Sequence, residues 1–444
     1  MSRPEGVRVL VGPTEIAGYY ASLVAGFNQS GCSAIYGVLT TNRFAYGSAY
    51  PPGPLRGLAL WVWDWAESNR RRRLPWMAAR LLHQLLAASY LLVQLPKIDA
   101  VVMGFGHSYW PFNLDLPVLR LLGKRVIVNL GHGSDMRPPY LDGSHLSAEG
   151  AAMPAAPWLT QRARKLLRQA RRCSRWAHWV IGQPLSSSHF GRQTMVNWFA
   201  IGWPYQPAAM AITSAAPLSD LGRPWRLLHA PSKPALKGTA AIRAAIEQLR
   251  AAGYAIDYTE LQGRPNHDVL VCLQHCDLVV DQLYSDTPMA GLAVEAAAHG
   301  KPALVAGYGL DQLRQHVPDD CWPPSFTCLP SALTATLARI LQDPAQVHRK
   351  GLEARRFIEQ HWRITLVAQR YLTLIAGAVP SDWLFDPHAV HYLYGCGLSA
   401  TRVDKTVASV IDAAGVAGLQ LGHRPDLERA YEALAARLGL TAAG

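Results

Sequence analysis

The chain has 444 residues, of which half are hydrophobic and 17% are charged, with 14 Trp and 36 Gly. It is longer than the usual domain of about 100 to 200 residues, and it is too apolar for a disordered chain or a small stapled scaffold. The net charge of +12 predicts an anionic partner, and charge alone leaves open nucleic acid, an acidic lipid surface or a phosphorylated substrate.

The seven cysteines are scattered along the chain and form no CxxC pair. An odd number at irregular spacing argues against a zinc ribbon or a disulfide framework. The N-terminus runs directly into a short strand-like segment without a signal-peptide core or a cleavage site. We therefore expect a cytoplasmic protein in a reducing environment.

Short apolar runs alternate with amphipathic segments through the first half of the chain. The runs fall at residues 7–11, 34–39, 99–103, 125–129 and 177–181. Such alternation predicts a parallel sheet covered by helices.

The most apolar long stretch covers residues 78–96 and approaches the length of a membrane span. It contains Arg80, His83 and Gln84 and ends at Pro96. These polar residues favour a buried core helix over a membrane span.

The strand and helix pattern restarts after a segment rich in Pro and Ala, residues 203–224, which we interpret as an interdomain linker. A strand at 226–230 is followed by a helix from about Thr239, which Gly253 ends. A further helix at 291–299 precedes a strand at 302–307. The second half therefore predicts a second sheet of the same kind.

We predict an α/β protein with two Rossmann-like doubly wound domains facing a central cleft. The predicted units are an N-terminal domain over 1–205, a C-terminal domain over 206–378 and a helical extension over 379–444. Ligands of such sheets bind at the carboxyl ends of the strands, so the chemistry is expected in the cleft.

Residues 229–239, HAPSKPALKGT, follow a predicted strand and open a helix. Lys237, Gly238 and Thr239 place a cation and free backbone N–H groups at a helix N-terminus, the arrangement that receives phosphate. An exposed helix cap without a ligand is the alternative.

A second motif lies in residues 281–307. Gly291 lets a ligand approach the backbone at another helix start, and Glu295 lies one turn into that helix. A carboxylate there is well placed to accept hydrogen bonds from ribose hydroxyls. The alternative is an ordinary first-turn Glu that the helix dipole stabilises.

These two motifs, with CDLVVDQ between them, resemble the donor half of GT-B glycosyltransferases of the family four type, the bacterial group 1 enzymes, over about residues 225–375. The resemblance implies that Lys237 neutralises a nucleotide diphosphate and that Glu295 binds ribose. It also implies sugar transfer with retention of configuration.

This chain departs from the family pattern at two positions. Thr287, beside Asp286, stands where the family has the first Glu of its Glu-x7-Glu motif, and it is the candidate for that donor contact. Pro231 stands where many members have Arg, so we assign phosphate contact to Ser232 and Lys233.

Residues 99–137 resemble the N-terminal half of bacterial members of the same family through a His-Gly-Ser-Asp-x-Arg loop. The resemblance implies that His132 contacts the donor sugar and that Asp135 and Arg137 orient the loop or the acceptor. A structural turn with Asp135 as a helix cap is the alternative.

Gly12 and Gly18 flank the first loop and are candidates to contact the donor phosphate or the acceptor. The chain carries no GxGxxG fingerprint, which argues against a dehydrogenase. It also carries no Asp-x-Asp, so we expect neither a metal nor a cofactor, and the leaving group would be neutralised by Lys237 and helix N-termini.

Two basic segments combine cations with Leu or Trp at helical spacing. One is Arg70 to Arg73, and the other comprises Arg162, Arg164, Lys165, Arg168, Arg171, Arg172 and Arg175. This composition suits peripheral docking on an anionic membrane such as the inner face of the plasma membrane, and a solvated helix face is the alternative. No RNA-binding motif or recognition helix is evident, so nucleic acid is not an expected partner.

The resulting expectation is a retaining, metal-independent hexosyltransferase with His132, Lys237 and Glu295 as catalytic residues. It would move a sugar from a nucleotide diphosphate sugar to a glycan or lipid-linked acceptor in cell-surface polysaccharide or glycolipid synthesis. The alternatives are a nucleotide-sugar epimerase of related fold and a degenerate, noncatalytic relative that acts as a binding protein.

Overall fold

The computed structural model describes residues 6–41, 49–147, 150, 152–205 and 223–437, in which the chain forms two β-sheets covered by helices. Most of the predicted linker, residues 206–222, lies outside the described residues. The strands are β1 Arg8–Val11, β2 Ser33–Tyr36, β3 Ala100–Gly104, β4 Arg125–Leu130, β5 Trp179–Gly182, β6 Met195–Asn197, β7 Trp225–His229, β8 Ile256–Glu260, β9 Leu278–Gln282, β10 Ala303–Ala306, β11 Phe326–Cys328 and β12 Leu384–Phe385.

The first sheet has the order β12-β6-β5-β4-β3-β1-β2 and the second has the order β11-β10-β9-β7-β8. All neighbours are parallel except β12 and β6. In each sheet the first strand lies between the second and the third, so the winding reverses between β1 and β3 and between β7 and β9. Two doubly wound α/β units are thereby confirmed, and ligands of such sheets bind beside the reversal point.

Helices connect the parallel strands and flank the sheets. They are α1 Tyr19–Gln29, α2 Pro54–Ser68, α3 Arg73–Gln94, α4 Asp115–Leu121, α5 Ala156–Trp176, α6 Pro184–Ser187, α7 Trp198–Ile201, α8 Pro234–Lys237, α9 Thr239–Ala251, α10 Asn266–His275, α11 Gly291–Ala298, α12 Leu310–Arg314, α13 Leu333–Leu341, α14 Pro344–His361, α15 Ile364–Ala376, α16 Ala400–Ala414 and α17 Pro425–Arg437. Helix α9 begins at Thr239, as predicted, and buries Ile242, Ile246 and Leu249 on one face.

The central strands are buried along their whole length. All five residues of β3 are inaccessible to solvent or nearly so, as are five of the six residues of β4. A sheet covered on both faces requires such continuous apolar runs, which explains why these strands were visible in the sequence.

The C-terminal part of the chain returns to the first sheet. The Tyr371 hydroxyl of α15 lies 3.1 Å from the Tyr19 hydroxyl of α1 and accepts a hydrogen bond of 3.0 Å from Asn129 of β4. Strand β12 pairs with β6, and α16 packs on α5. The residues that cover the first sheet are thus drawn from both ends of the chain, and the proposed domain boundaries stay a prediction.

A buried arginine fixes this C-terminal segment. The Arg424 guanidinium is inaccessible to solvent and donates to the carbonyls of Ser188, Pro387 and Val390 and to the Asp426 carboxylate. A charged group is stable there because each carbonyl accepts one of its hydrogen bonds and the Asp426 carboxylate accepts two.

The prediction for residues 78–96 was wrong in one respect. The segment is helical, as part of α3, but one side of that helix is exposed: Leu74 is 80% accessible and Leu81 is 64% accessible. Hydrophobicity identified the helix but did not distinguish a core face from an apolar face on the surface. By length and composition, residues 73–97 form the one described helix able to cross a membrane.

Replacing Arg424 by Met is expected to lower the free energy of unfolding by roughly 3 kcal/mol or more, because three buried carbonyls lose their donors at about 1 to 3 kcal/mol each. Urea denaturation followed by circular dichroism measures the change. Arg429→Met, on the exposed side of α17, the helix that begins directly after Arg424, is the control and should change stability by about 0.5 kcal/mol or less. Equal effects of the two substitutions would contradict the anchoring role.

Candidate functional site

The reversal point of the second sheet holds a lysine between two strand ends. Lys237 follows β7 at the end of α8, and its Nζ lies 2.9 Å from Asp281 Oδ1 and 2.7 Å from Gln282 Oε1 at the end of β9. Its side chain is 13% exposed. The ammonium is therefore held in place at the position where a ligand of this sheet type binds.

Glu295 lies within electrostatic range of Asp281, the partner of this lysine. The pKa of Glu295 is raised to about 7, because burial and the negative charge of Asp281 outweigh the opposite effect of a 3.1 Å hydrogen bond from Asn266. The second carboxylate oxygen of Asp281 is buried without a partner among the described residues. Asp281 thus connects the predicted Lys237 and Glu295, and Asn266 is added beside Glu295.

The glycines at the starts of α9 and α11 have different surroundings. Gly238 has φ +73° at the start of α9, and a Cβ there would lie 2.6 Å from Leu283, so only glycine fits. At Gly291, which starts α11, an added Cβ would lie 3.8 Å from Trp203, an ordinary van der Waals contact, so this position would also accept a side chain.

Thr239 and Ser232 differ in what they offer to a ligand. The Thr239 hydroxyl is buried and lies 2.8 Å from His229 Nε2. The Thr239 side chain is therefore engaged within the protein, and its backbone N–H, the group predicted to meet phosphate, stays the candidate for contact with the nucleotide sugar. Ser232 is exposed in the loop, and neighbouring Lys233 donates to the Ser144 carbonyl at 3.2 Å.

In the loop after β9, the Asp286 carboxylate pairs with an arginine of the first domain. Asp286 is buried and accepts from Arg137 Nε at 3.0 Å. Thr287 is held locally, with its N–H donating to Ser285 Oγ at 3.1 Å and its hydroxyl to the Met289 carbonyl at 3.4 Å. Asp286 is therefore not free to replace the missing Glu at position 287.

In the first domain the predicted histidine loop follows β4. His132 Nε2 lies 2.8 Å from the Tyr20 hydroxyl, and burial lowers the pKa of His132 to about 3, so the ring is neutral at physiological pH. Asp135 accepts from the His132 N–H at 3.2 Å and closes the turn. Burial raises the pKa of Asp135 to about 7.

Arg137 binds across the domains and does not face an open acceptor surface. It is buried and pairs with Asp286, and its Nη1 lies 3.6 Å from Asp142. Burial alone lowers the pKa of Arg137, but the two carboxylates raise it above its usual range. A role in orienting the loop agrees with this geometry, whereas direct acceptor contact does not.

An aromatic path joins the histidine loop to the second domain. The Tyr19 ring lies 5.2 Å from the ring of His132 and 5.9 Å from that of Trp203, which in turn borders Gly291 at the start of α11. Tyr19 and Trp203 therefore connect His132 to the start of α11.

Gly12 and Gly18 have structural roles that the sequence did not disclose. A Cβ on Gly12 would lie 2.6 Å from both the Tyr109 hydroxyl and the Gly37 carbonyl, and Gly18 begins α1 with φ +81°. Their contact with a ligand stays a prediction.

Four further site residues were missed in the sequence. Thr14 and His107 follow the central strands β1 and β3 and are 2.9 Å apart at the reversal point of the first sheet. Glu15 accepts from the N–H groups of residues 16, 20 and 21 and thereby positions Tyr20 under His132. The place of Thr14, Glu15 and His107 in loops after buried strands was the one signal that pointed to them, whereas Tyr20 lies in α1.

The described residues contain no group of three or more His, Cys, Asp or Glu side chains that would hold a metal ion. The seven cysteines are free thiols.

No protein-family model matches the sequence, and no curated protein sequence does either. Among solved structures, the chain is similar to Anabaena HepE in complex with UDP-glucose, at 12% identity and a TM-score of 0.47, over 84% of this chain and 100% of that one. It is also similar to the glycosyltransferase SnogD from Streptomyces nogalater, at 15% identity and a TM-score of 0.36, over 84% and 99% of the two chains. A third similarity is to S. aureus MnaA with UDP, at 12% identity and a TM-score of 0.40, over 84% and 96%.

Replacing Asp286 by Asn is expected to lower the free energy of unfolding by about 3 to 5 kcal/mol, because the Arg137 charge stays buried without its main partner. Urea denaturation measures the loss. Arg137→Met combined with Asp286→Leu and Asp142→Asn should recover most of it, since none of the three charges is then buried alone.

The exposed pair of Arg243 and Glu260 supplies the control, for which Arg243→Gln should cost about 1 kcal/mol or less. A loss for Asp286→Asn no larger than that of the control would contradict the buried role of the pair.

Proposed function

We propose that the protein is a GT-B glycosyltransferase that transfers a sugar, with retention of configuration, from a nucleotide diphosphate sugar to a glycan or lipid-linked acceptor. The observation that carries the proposal is the convergence of Lys237 and Glu295 on Asp281 at the reversal point of the second sheet. We place the product in cell-surface polysaccharide or glycolipid.

The diphosphate is proposed to bind between the starts of α9 and α11. Both helices begin there, so each presents unpaired backbone N–H groups and the positive end of its dipole. Lys237 adds a full positive charge. Preorganised charges of this kind stabilise the diphosphate as negative charge develops on it. The proposal therefore includes no metal.

Glu295 is proposed to accept hydrogen bonds from the ribose hydroxyls. Because burial raises its pKa to about 7, the carboxyl is close to half-ionised at neutral pH, and donors from ribose favour the ionised form. Asn266, which already donates to one of its oxygens, holds the carboxylate in position.

His132 is proposed to contact the donor sugar from the first domain. Its Nε2 is hydrogen-bonded to the Tyr20 hydroxyl, and its Nδ1 makes no hydrogen bond to any residue that the structure describes. In the transfer step the bond from the anomeric carbon to the diphosphate oxygen breaks, and a bond to the acceptor oxygen forms on the same face. The acceptor proton passes to the departing diphosphate, so the protein supplies position and no general base.

One observation favours the noncatalytic alternative. Position 287 has no carboxylate, and its neighbour Asp286 is committed to Arg137. A protein of this kind would bind the nucleotide sugar without transferring the sugar, whereas an epimerase would convert the nucleotide sugar without any acceptor.

Calorimetric titration with UDP, GDP and ADP is expected to show micromolar binding of one nucleotide. Lys237→Ala and Glu295→Ala should each weaken it tenfold or more, a change of about 1.4 kcal/mol. Lys301→Ala is the charge-matched control, because Lys301 lies beyond the other end of α11. Binding of no nucleotide, or equal loss in the control, would overturn the donor site.

The pH dependence of binding gives an independent test of Glu295. Since ribose favours the ionised carboxylate, affinity should rise as pH increases through about 7. Glu295→Gln should remove that part of the rise, and the ratio of the two affinities cancels the titration of the nucleotide itself. A ratio that stays constant between pH 6 and 8 would argue against the proposed role.

Product analysis with the bound donor distinguishes transfer from its alternatives. Sugar appearing on an added acceptor supports the proposal. Binding without turnover supports the noncatalytic alternative, and an isomerised donor without acceptor supports the epimerase.

A further inference from the structure

Helix α3 presents a continuous apolar face to solvent among the described residues. After the first turn, which also exposes Arg73 and Pro75, its exposed side chains repeat every three or four residues, with Ser89 as the one polar member of the repeat. They are Leu74, Met77, Ala78, Leu81, Leu82, Leu85, Ser89, Leu92 and Val93. The helix has 22 residues and is about 33 Å long, so the face exceeds what a monomeric soluble protein usually exposes.

The opposite side of α3 is committed to the protein. His83 donates to the Leu39 carbonyl at 2.9 Å, the Arg80 guanidinium lies over the ring of Trp63 at 4.4 Å, and Ala79 packs on Val62 of α2. A helix that crosses a bilayer has lipid on more than one side, whereas this one is free on one side. Its geometry suits a helix lying in the plane of an interface.

The adjoining helix α2 extends the face with aromatic side chains. Leu58, Trp61 and Trp65 are all exposed, and Trp61 is 63% accessible. Tryptophan is enriched where a membrane meets water because its ring is apolar and its N–H is polar.

The arginines beside the exposed face of α3 favour an anionic partner. Arg70 to Arg72 lie in the turn between α2 and α3, and Arg73 begins α3, which contains no Asp or Glu. Of the acidic residues of α2, Glu67 pairs with Arg70 and Asp64 accepts from the Thr41 hydroxyl. A second copy of the chain would therefore bring the same arginines and no uncommitted acidic residue of this hairpin to pair with them. Anionic lipid headgroups, in contrast, complement both the arginines and the apolar face.

Helix α3 also borders the carboxyl end of the first sheet. Gln84 donates to the Tyr109 carbonyl at 3.4 Å, and Gln169 of the basic helix α5 donates to the Phe105 carbonyl at 3.1 Å. The loop after β3 therefore lies between α3, which has the apolar surface, and α5, which has the basic one.

We propose that the α2–α3 hairpin, residues 54–94, docks the protein on an anionic membrane, with the exposed face of α3 in the interface plane and Arg70 to Arg73 on the headgroups. This docking is independent of the transfer reaction. It places the carboxyl edge of the first sheet beside the lipid.

Flotation with vesicles tests the proposal on the full-length protein. It should bind vesicles of phosphatidylglycerol and phosphatidylcholine in equal parts, and bind pure phosphatidylcholine vesicles much more weakly. Leu81→Glu with Leu85→Glu should abolish binding. The matched control is Leu121→Glu with Leu122→Glu, two leucines of similar exposure at the end of α4, which should leave binding unchanged.

A second variant tests the charge contribution without touching the apolar face. Arg71→Gln, Arg72→Gln and Arg73→Gln together should lower partitioning onto the anionic vesicles on the order of a hundredfold. Sedimentation velocity without lipid should show a monomer.

Three results would overturn the proposal: unchanged flotation of the Leu81 and Leu85 variant, equal binding to neutral vesicles, or a dimer that this variant dissociates. The last would assign the face to a second copy of the chain. Circular dichroism of each variant shows whether a loss of binding reflects loss of fold.

Discussion

The ion pair of Arg137 and Asp286 joins the two halves of the molecule at the edge where both sheets end. Arg137 belongs to the histidine loop after β4 and Asp286 to the loop after β9, and both side chains are buried. A buried charge left alone is strongly unfavourable, so this pair holds the two loops together. The relative position of His132 and the start of α11 depends on it.

With the two edges joined, the second domain supplies a cation and two helix N-termini on one side, and the first domain supplies a neutral histidine on the other. The site also contains carboxyl groups whose charge depends on their surroundings, since burial raises the pKa of Glu295 and of Asp135 to about 7. Groups with such shifted pKa values are concentrated at functional sites. A protein built only for stability has no need to gather them at the carboxyl edges of its sheets.

The sequence predicted the parts of the fold that follow from local pattern. Buried strands such as β3 and β4 are continuous apolar runs, and the start of α9 is marked by Gly238, so both were identified correctly. Asp281 was not recognised, because it lies inside a run that also forms a strand. Arg137 pairs with Asp286, and Arg424 donates to the Ser188 carbonyl. In both cases the two residues are more than a hundred positions apart, so no local sequence pattern indicates the contact. The exposed face of α3 was misjudged because a hydrophobic stripe has the same sequence whether protein or lipid covers it.

Hydrogen exchange tests the central claim, that both sheet edges form one nucleotide-sugar site, whichever base the donor carries. The protein would be labelled with and without a mixture of UDP, GDP and ADP, and the peptides analysed by mass spectrometry. We expect slower exchange in residues 230–241 and 286–296, with a smaller effect in 131–137. Protection confined to other parts of the chain, or none at saturating nucleotide, would contradict it.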